Sequence, residues 1–71
     1  MEFTHVIDLW PTMPEMADDI GETKVNVFKW RQRNSIPPHR WLRIVYAAQR
    51  RKYPAVTLIA LAEMAERRAE V

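Results

Sequence analysis

The fold is decided by residues 12–34, which read TMPEMADDIGETKVNVFKWRQRN. Thr12 followed three residues later by Glu15 is a capping box, in which each side chain accepts a hydrogen bond from the other residue's backbone N–H. Gly21 is the only glycine in the chain, and it follows the last apolar residue of that helix, where a left-handed C-cap favours glycine. These signals predict a helix over 13–20 and a turn that begins at Gly21.

A second helix is predicted directly after the turn. Thr23 can cap its start and Asn34 suits a left-handed residue at its end, which sets the helix over 24–33. The connection between the two helices is about three or four residues long, the length that sets two helices at the steep angle of a helix-turn-helix. Residues 12–33 are therefore predicted to form a helix-turn-helix.

Three further helices complete the prediction. Thr4 is expected to cap a first helix over 5–10, which ends before Pro11 because proline disfavours the helical region in the residue that precedes it. A fourth helix is expected over 38–51, and a C-terminal helix over 57–70, capped by Thr57 and running from Leu58 to about Ala69. The side chains expected to face inward from the first and fourth of these helices are Val6, Ile7 and Trp10, then Trp41, Ile44, Val45 and Ala48.

Length and composition restrict the fold class. The 71 residues suffice for one domain, 1–71, and not for two. Hydrophobic residues make up 48% of the chain, and five prolines against one glycine indicate helices with proline-punctuated joints. No strand-like alternation or internal repeat is visible. We therefore expect an all-α, compact bundle of about five short helices.

The composition also excludes several kinds of site. The chain has no cysteine, which rules out disulfides, thiolate metal sites and cysteine nucleophiles. Its two histidines, His5 and His39, stand far apart without metal-ligand spacing, and no glycine-rich loop could cradle a phosphate. We expect no catalysis, no cofactor, no metal ion and no small-molecule ligand.

The first residues, MEFTHVIDLWP, lack the basic start and the long apolar run of a signal peptide. No apolar stretch approaches the length of a membrane span. The lack of cysteine fits a reducing compartment. We expect a cytoplasmic protein without a membrane partner.

Charge is segregated along the chain. Residues 1–22 hold six acids and no Lys or Arg, whereas residues 23–62 hold nine Lys or Arg and no acid. The last nine residues carry a net charge of −1. A basic surface that is merely solvated normally interleaves acids with bases, so this block favours a polyanionic partner, above all nucleic acid.

Segment 16–30, MADDIGETKVNVFKW, resembles the helix-turn-helix of the Cro and CI-type phage repressors. The continuation WRQRNSIPPHRWLRIV, a helix followed by an Ile-Pro joint, is similar to small phage-derived regulators of this group, and the likeness covers roughly residues 12–50. Glu22 departs from the family, which usually has an apolar residue there, and it predicts a more loosely packed turn. The matching residues are Ala17, Ile20, Gly21, Val27 and Trp30.

The resemblance implies a lambda-repressor-like fold and a sequence-specific transcription regulator of bacterial or phage origin. It would most simply be a repressor of phage-derived genes (prophage or gene-transfer-agent-like) that binds a palindromic operator in double-stranded DNA as a homodimer. It would be nucleoid-associated when bound. Two alternatives stay open, an excisionase-like or architectural DNA-binding protein and a protein-interaction module such as an antitoxin.

The reading surface is predicted on the second helix of the pair. At 100° per residue Val27 and Trp30 point inward together, so the opposite face is available to enter the major groove. The alternative is that Phe28 belongs to the core and the wheel is rotated. The helical wheel and the resemblance together predict that the base-reading residues are Lys24, Val25, Phe28, Lys29 and Gln32.

Phosphate contacts are predicted around this helix. Thr23 lies at its start, and arginines cluster about the joint that follows it. The face of the fourth helix that carries His39, Arg43, Tyr46 and Arg50 is either a set of phosphate anchors or a solvated surface. The residues predicted to contact phosphate are Thr23, Arg31, Arg33, Arg40 and Arg43.

The C-terminal helix carries more apolar surface than a small monomer needs. Leu58, Leu61, Ala62 and Ala65 would make one face, with Ile59 and Met64 outside it. Homodimerisation would explain this surplus, and closure of the core with one solitary exposed residue is the alternative. The residues predicted to form the dimer contact are Leu58, Ile59, Leu61 and Met64.

Overall fold

Five α-helices and one 3₁₀ turn make up the fold in a computed structural model that describes residues 1–69, and no strand occurs in that range. This confirms the all-α fold class. The helices α1 to α5 span Phe3–Ile7, Met13–Ile20, Lys24–Arg33, Trp41–Arg50 and Leu58–Ala69, with the 3₁₀ turn at Pro38–Arg40.

The bounds predicted for α2 are confirmed, together with one half of its capping box. Thr12 Oγ1 accepts a hydrogen bond from the backbone N–H of Glu15 at 3.2 Å. The Glu15 carboxylate accepts from Arg51, the residue that follows α4, at 3.3 Å, so it serves tertiary packing. Gly21 ends the helix with φ 67° and ψ 40°, in the left-handed region where a Cβ would be strained.

The bounds of α3 follow the predicted caps. Thr23 Oγ1 accepts from the backbone N–H of Asn26 at 3.2 Å, and Asn34 ends the helix in the left-handed conformation at φ 51°. The Asn34 side chain also accepts a hydrogen bond from the backbone N–H of Thr4 at 3.0 Å. The residue that terminates α3 therefore ties it to α1.

The prediction for α1 is wrong at both ends. The helix begins at Phe3 rather than at residue 5, and Glu2 is its N-cap residue: the Glu2 N–H donates to His5 Nδ1 at 3.1 Å. Thr4 is consequently inside the helix and does not cap it. The helix ends at Ile7, yet the following turn still buries Trp10, as the inward pattern predicted.

The predicted fourth helix is divided in two. Pro38–Arg40 form a 3₁₀ turn, and the α-helix begins at Trp41. Ile44, Val45 and Ala48 are buried as expected, and Trp41 is half-buried. Its indole Nε1 donates to the carbonyl of Ile36 at 2.8 Å, which fixes the joint between α3 and α4.

One core holds the helices together. α3 packs on both α1 and α2, while α4 packs on α2 and α5. The radius of gyration is 11.1 Å, which equals the value of about 11 Å expected for a single domain of this length. The largest fully buried side chains are Val6, Ile7, Met16, Val27, Ile36, Ile44 and Leu61.

The structure corrects the predicted dimer contact on α5. Leu61 and Met64 are 0% and 4% exposed, so both belong to the protomer's own core and the prediction that they face a partner is wrong. Leu58 is exposed, and Ile59 is 74% exposed. Thr57 Oγ1 accepts from the N–H of Ala60 at 3.0 Å, as expected of a cap, and the predicted end at residue 70 lies outside the described residues.

The buried face of α5 is rotated relative to the predicted one, because Met64 faces inward and Leu58 does not.

In the described part of the chain no helix has both the length and the apolar character needed to cross a membrane.

Candidate nucleic-acid interface

The outward side of α3 is a single continuous face. Val27 is fully buried and Trp30 is 8% exposed, which seats the opposite side of the helix toward solvent. Phe28 is 48% exposed, so the alternative that placed it in the core is wrong. The five residues predicted to read bases are all exposed, and together they are called here the α3 outer face: Lys24, Val25, Phe28, Lys29 and Gln32.

An apolar groove forms part of this face. It has a volume of about 290 Å³ and lies between the start of α2 and the first two turns of α3. Residue spacing within α3 gives no reason to include α2, so the two residues that α2 contributes to the groove were not predictable from the sequence. The residues that line the groove are Met13, Pro14, Lys24, Val25 and Phe28.

The turn between α2 and α3 is pinned by Glu22, contrary to the looser packing predicted for it. The Glu22 carboxylate accepts hydrogen bonds from the backbone N–H of Thr23 and from Asn26 Nδ2, both at 2.9 Å. Arg40 Nε lies 2.9 Å from its other oxygen. The Glu22 side chain is only 8% exposed.

The electrostatics of Glu22 agree with this role. The hydrogen bond from Thr23 lowers the pKa of the Glu22 carboxyl, and Asn26 and the positive charge of Arg40 lower it further. Glu22 thus satisfies a free N–H at the start of α3 and also ties the turn to the residue before α4. An apolar residue at this position could do neither.

Arg31, predicted to contact phosphate, is held by an acid from the loop after α1. Its Nε lies 2.8 Å from Asp8 Oδ1 and its Nη2 lies 3.0 Å from Asp8 Oδ2, which is a bidentate pair. This arginine lowers the pKa of the Asp8 carboxyl. A DNA phosphate would have to compete with Asp8 for Arg31.

The other predicted phosphate contacts differ in how far they are engaged. Arg40 pairs with Glu22, and Arg43 Nη1 donates to the carbonyl of Ile20 at 3.3 Å, capping the C-terminus of α2. The Thr23 hydroxyl accepts its cap hydrogen bond and still has a proton to donate. Arg33 is exposed and forms no ion pair within residues 1–69.

A clamp between α2 and α4 was not visible in the sequence. Arg51 Nε donates to Asp19 Oδ2, which also accepts from Trp10 Nε1 at 2.8 Å. Arg51 Nη1 reaches Glu15 at 3.3 Å. Arg51 and Trp10 lower the pKa of the Asp19 carboxyl.

The clamp and similar ion pairs explain part of the charge segregation along the chain. Four of the six acids in residues 1–22 lie in ion pairs with arginines of the basic block, namely Asp8, Glu15, Asp19 and Glu22. The acids therefore neutralise the arginines that bind the helices together. The lysines of the α3 outer face have no such partner within residues 1–69.

We expect Asp19→Asn to lower the stability at pH 7 by about 1–2 kcal/mol, because a hydrogen-bonded charge in the clamp is lost. The folded-state pKa of Asp19 is depressed, so its contribution is present above the unfolded value near 4 and is lost as the pH falls through the folded value. Urea unfolding at pH 7 and at pH 2.5 should show the two proteins converging in acid. The neighbouring exposed Asp18→Asn is the control, and an equal loss there would contradict the role of Asp19.

The assignment of a function to the α3 outer face rests on its own residues. Within residues 1–69, His, Cys, Asp and Glu side chains form no group of three that could hold a metal ion. Comparison of the chain with protein-family models, with curated proteins and with solved structures gives no match.

Proposed function

We propose that residues 12–33 act as a DNA-binding helix-turn-helix and that the protein is a sequence-specific transcription regulator. The observation that carries this proposal is the α3 outer face, on which two lysines, the amide of Gln32 and two apolar side chains are all exposed to solvent. The stability of the fold does not require exposed apolar side chains among lysines on this face. The major groove of B-DNA, in contrast, admits an α-helix and presents a binding partner for each of these groups.

The surrounding structure supports this orientation of α3. The Thr23 cap, the Glu22 hydrogen bonds and the burial of Val27 and Trp30 fix the helix at its start and along its inner side. A rigid element of this kind holds base-reading groups in place without a large entropy loss on binding. Arg33 and the Thr23 hydroxyl flank the face at its two ends and would position it on phosphates.

The proposed mode of action is repression of phage-derived genes by a dimer. Occlusion of a promoter is the simplest way in which a bound DNA-binding domain regulates transcription. Two copies related by a two-fold axis would place their α3 helices about 34 Å apart, in successive major grooves of a palindromic operator. Of the four residues predicted for the dimer contact, Leu61 and Met64 belong to the core, and Leu58 and Ile59 are exposed and available for it.

Selection of duplexes from a random DNA pool by the purified chain tests the proposal directly. A regulator should enrich a discrete motif, with half-sites separated by one helical turn if it binds as a dimer. An architectural protein would instead enrich no strong motif and would bend DNA, as measured by circular permutation assays. Failure to bind any duplex at low salt, together with co-purification of a second chain, would support an interaction module of the antitoxin kind.

Replacing Arg33 with Ala should weaken binding to all sequences and flatten the plot of log Kd against log salt by about one unit, because one phosphate contact is lost. Arg31→Ala should flatten it less, since Asp8 already occupies that guanidinium. Asp8→Asn should release Arg31 and strengthen binding at low salt. Fluorescence anisotropy titrations between 50 and 200 mM salt would measure all three slopes. An unchanged slope in Arg33→Ala would remove it from the phosphate contacts.

Replacing Gln32 with Ala should cost roughly 1–3 kcal/mol at one base position, as expected when a bidentate amide contact to adenine is removed. The loss should disappear when that base pair is changed in the DNA. Titration of the variant against a panel of single-substitution duplexes would locate the position. Equal losses on every duplex would contradict base reading by Gln32.

A further inference from the structure

The groove between α2 and α3 has an apolar lining that the core does not require. Val25 is 55% exposed and Phe28 is 48% exposed, although both sit on a helix whose other outward residues are charged or polar. They lie three residues apart, on adjacent turns of one helix face. Met13 and Pro14 continue the same apolar surface from α2. The four residues form one contiguous apolar patch. Contiguous exposed patches mark interaction sites, whereas single exposed apolar residues are common on any protein surface.

The charges around the groove indicate the kind of partner that could fill it. Lys24 is part of the wall, and Lys29 lies next to Phe28 on the same helix. Two of the neighbouring acids are paired with arginines, Glu15 with Arg51 and Glu22 with Arg40, and the exposed Asp18 on α2 does not line the groove. The surroundings of the groove are therefore cationic, and a complementary occupant is an apolar group carried by a polyanion.

DNA offers one such group at its base edges. The major-groove edges of the four bases present hydrogen-bond donors and acceptors, and the single apolar group among them is the 5-methyl of thymine. We propose that the groove formed by Met13, Pro14, Val25 and Phe28 binds thymine methyl groups, and that the preferred DNA site has thymine at the positions facing Val25 and Phe28. This inference rests on the proposed function, because it needs α3 to lie in the major groove.

Deoxyuridine substitution tests the inference without any change to the protein. Deoxyuridine keeps the pairing of thymine and lacks only its methyl group, so each thymine of the selected duplex is replaced in turn. At one or two positions the Kd should rise about fourfold, the equivalent of one buried methyl group at about 0.8 kcal/mol. At the remaining thymines the Kd should stay the same.

Protein variants then assign the effect to the groove. Val25→Ala and Phe28→Ala should each bind the thymine duplex more weakly and lose the difference between thymine and deoxyuridine at one position. Both residues are exposed, so circular dichroism should show that the variants are folded. Lys29→Ala is the matched control, because it should weaken binding to both duplexes by the same factor.

Three results would overturn the inference. Specific binding with no deoxyuridine effect at any position would refute methyl recognition and leave the proposed DNA-binding function standing. Absence of any duplex binding would refute both. If sedimentation showed that Phe28→Ala converts a free dimer into a monomer, a second copy of the chain would be the occupant and the thymine assignment would be wrong.

Discussion

A Lys24→Glu, Lys29→Glu double variant is expected to lose at least about a hundredfold of its affinity for every DNA sequence at 0.1 M salt. A lysine that enters the major groove to read bases also neutralises phosphate charge beside it. Each such cation contributes about eightfold at this salt concentration through counterion release, and two reversed charges add repulsion to the loss. Both lysines are exposed and form no ion pair within residues 1–69. The substitutions therefore break no ion pair inside the protein, and the loss of affinity reports on the contact with DNA. Anisotropy titration with a fixed duplex measures the effect.

The control for this variant changes the same number of charges away from α3. Lys52→Glu with Arg67→Glu lowers the net charge equally, on the segment after α4 and on α5. We expect it to cost at least tenfold less affinity than the α3 pair, because a contact at the interface is lost only in the latter. Equal losses in the two double variants would mean that net charge alone governs binding, and they would contradict an interface on α3.

Leu61→Ala is expected to lower the free energy of unfolding by about 2–5 kcal/mol. Leu61 is fully buried among the helices, so truncation removes its transfer free energy and leaves a cavity. A domain of this size has a total stability of about 4–10 kcal/mol, and the variant should be close to unfolding at 37 °C. Thermal and urea unfolding followed by circular dichroism measure the change.

Ile59→Ala is the matched variant on the same helix. Ile59 is 74% exposed, and its truncation should leave the stability of an isolated protomer within about 0.5 kcal/mol. If Ile59 lies in a homodimer contact, the variant should instead weaken self-association in sedimentation and make the melting temperature depend less on protein concentration. A Leu61→Ala variant as stable as Ile59→Ala would contradict the assignment of Leu61 to the core.

The bounds of α2, α3 and α5 were predictable because their signals are local. A Thr side chain reaches only the N–H groups of the next turn, and the left-handed conformation of Gly21 depends on its missing Cβ. The failure at α1 has a local cause too, since the hydrogen bond between Glu2 and His5 that starts the helix lies within one turn and the prediction considered only Thr4 as the cap. On α5 the predicted apolar face left Met64 outside, whereas tertiary packing buries Met64 and leaves Leu58 exposed.

The candidate site was predictable only in part. Four residues of the α3 outer face, Val25, Phe28, Lys29 and Gln32, followed from helical geometry once two inward residues were known, and Lys24 was added by the family resemblance. Met13 and Pro14 joined the face through the packing of α2 across α3, which no spacing along one helix contains. The commitment of Arg31 to Asp8 likewise joins residues 23 positions apart.

The sequence by itself determined the helical class, the caps of α2 and α3 and the outward residues of α3, because these depend on interactions within one or two turns of helix. Tertiary structure decided the rest. It paired the acids of the N-terminal segment with Arg31, Arg40 and Arg51, and it left Lys24 and Lys29 exposed. Ion pairs and grooves form between different elements of the fold, so their partners are fixed by how the helices pack and not by residue spacing within one helix.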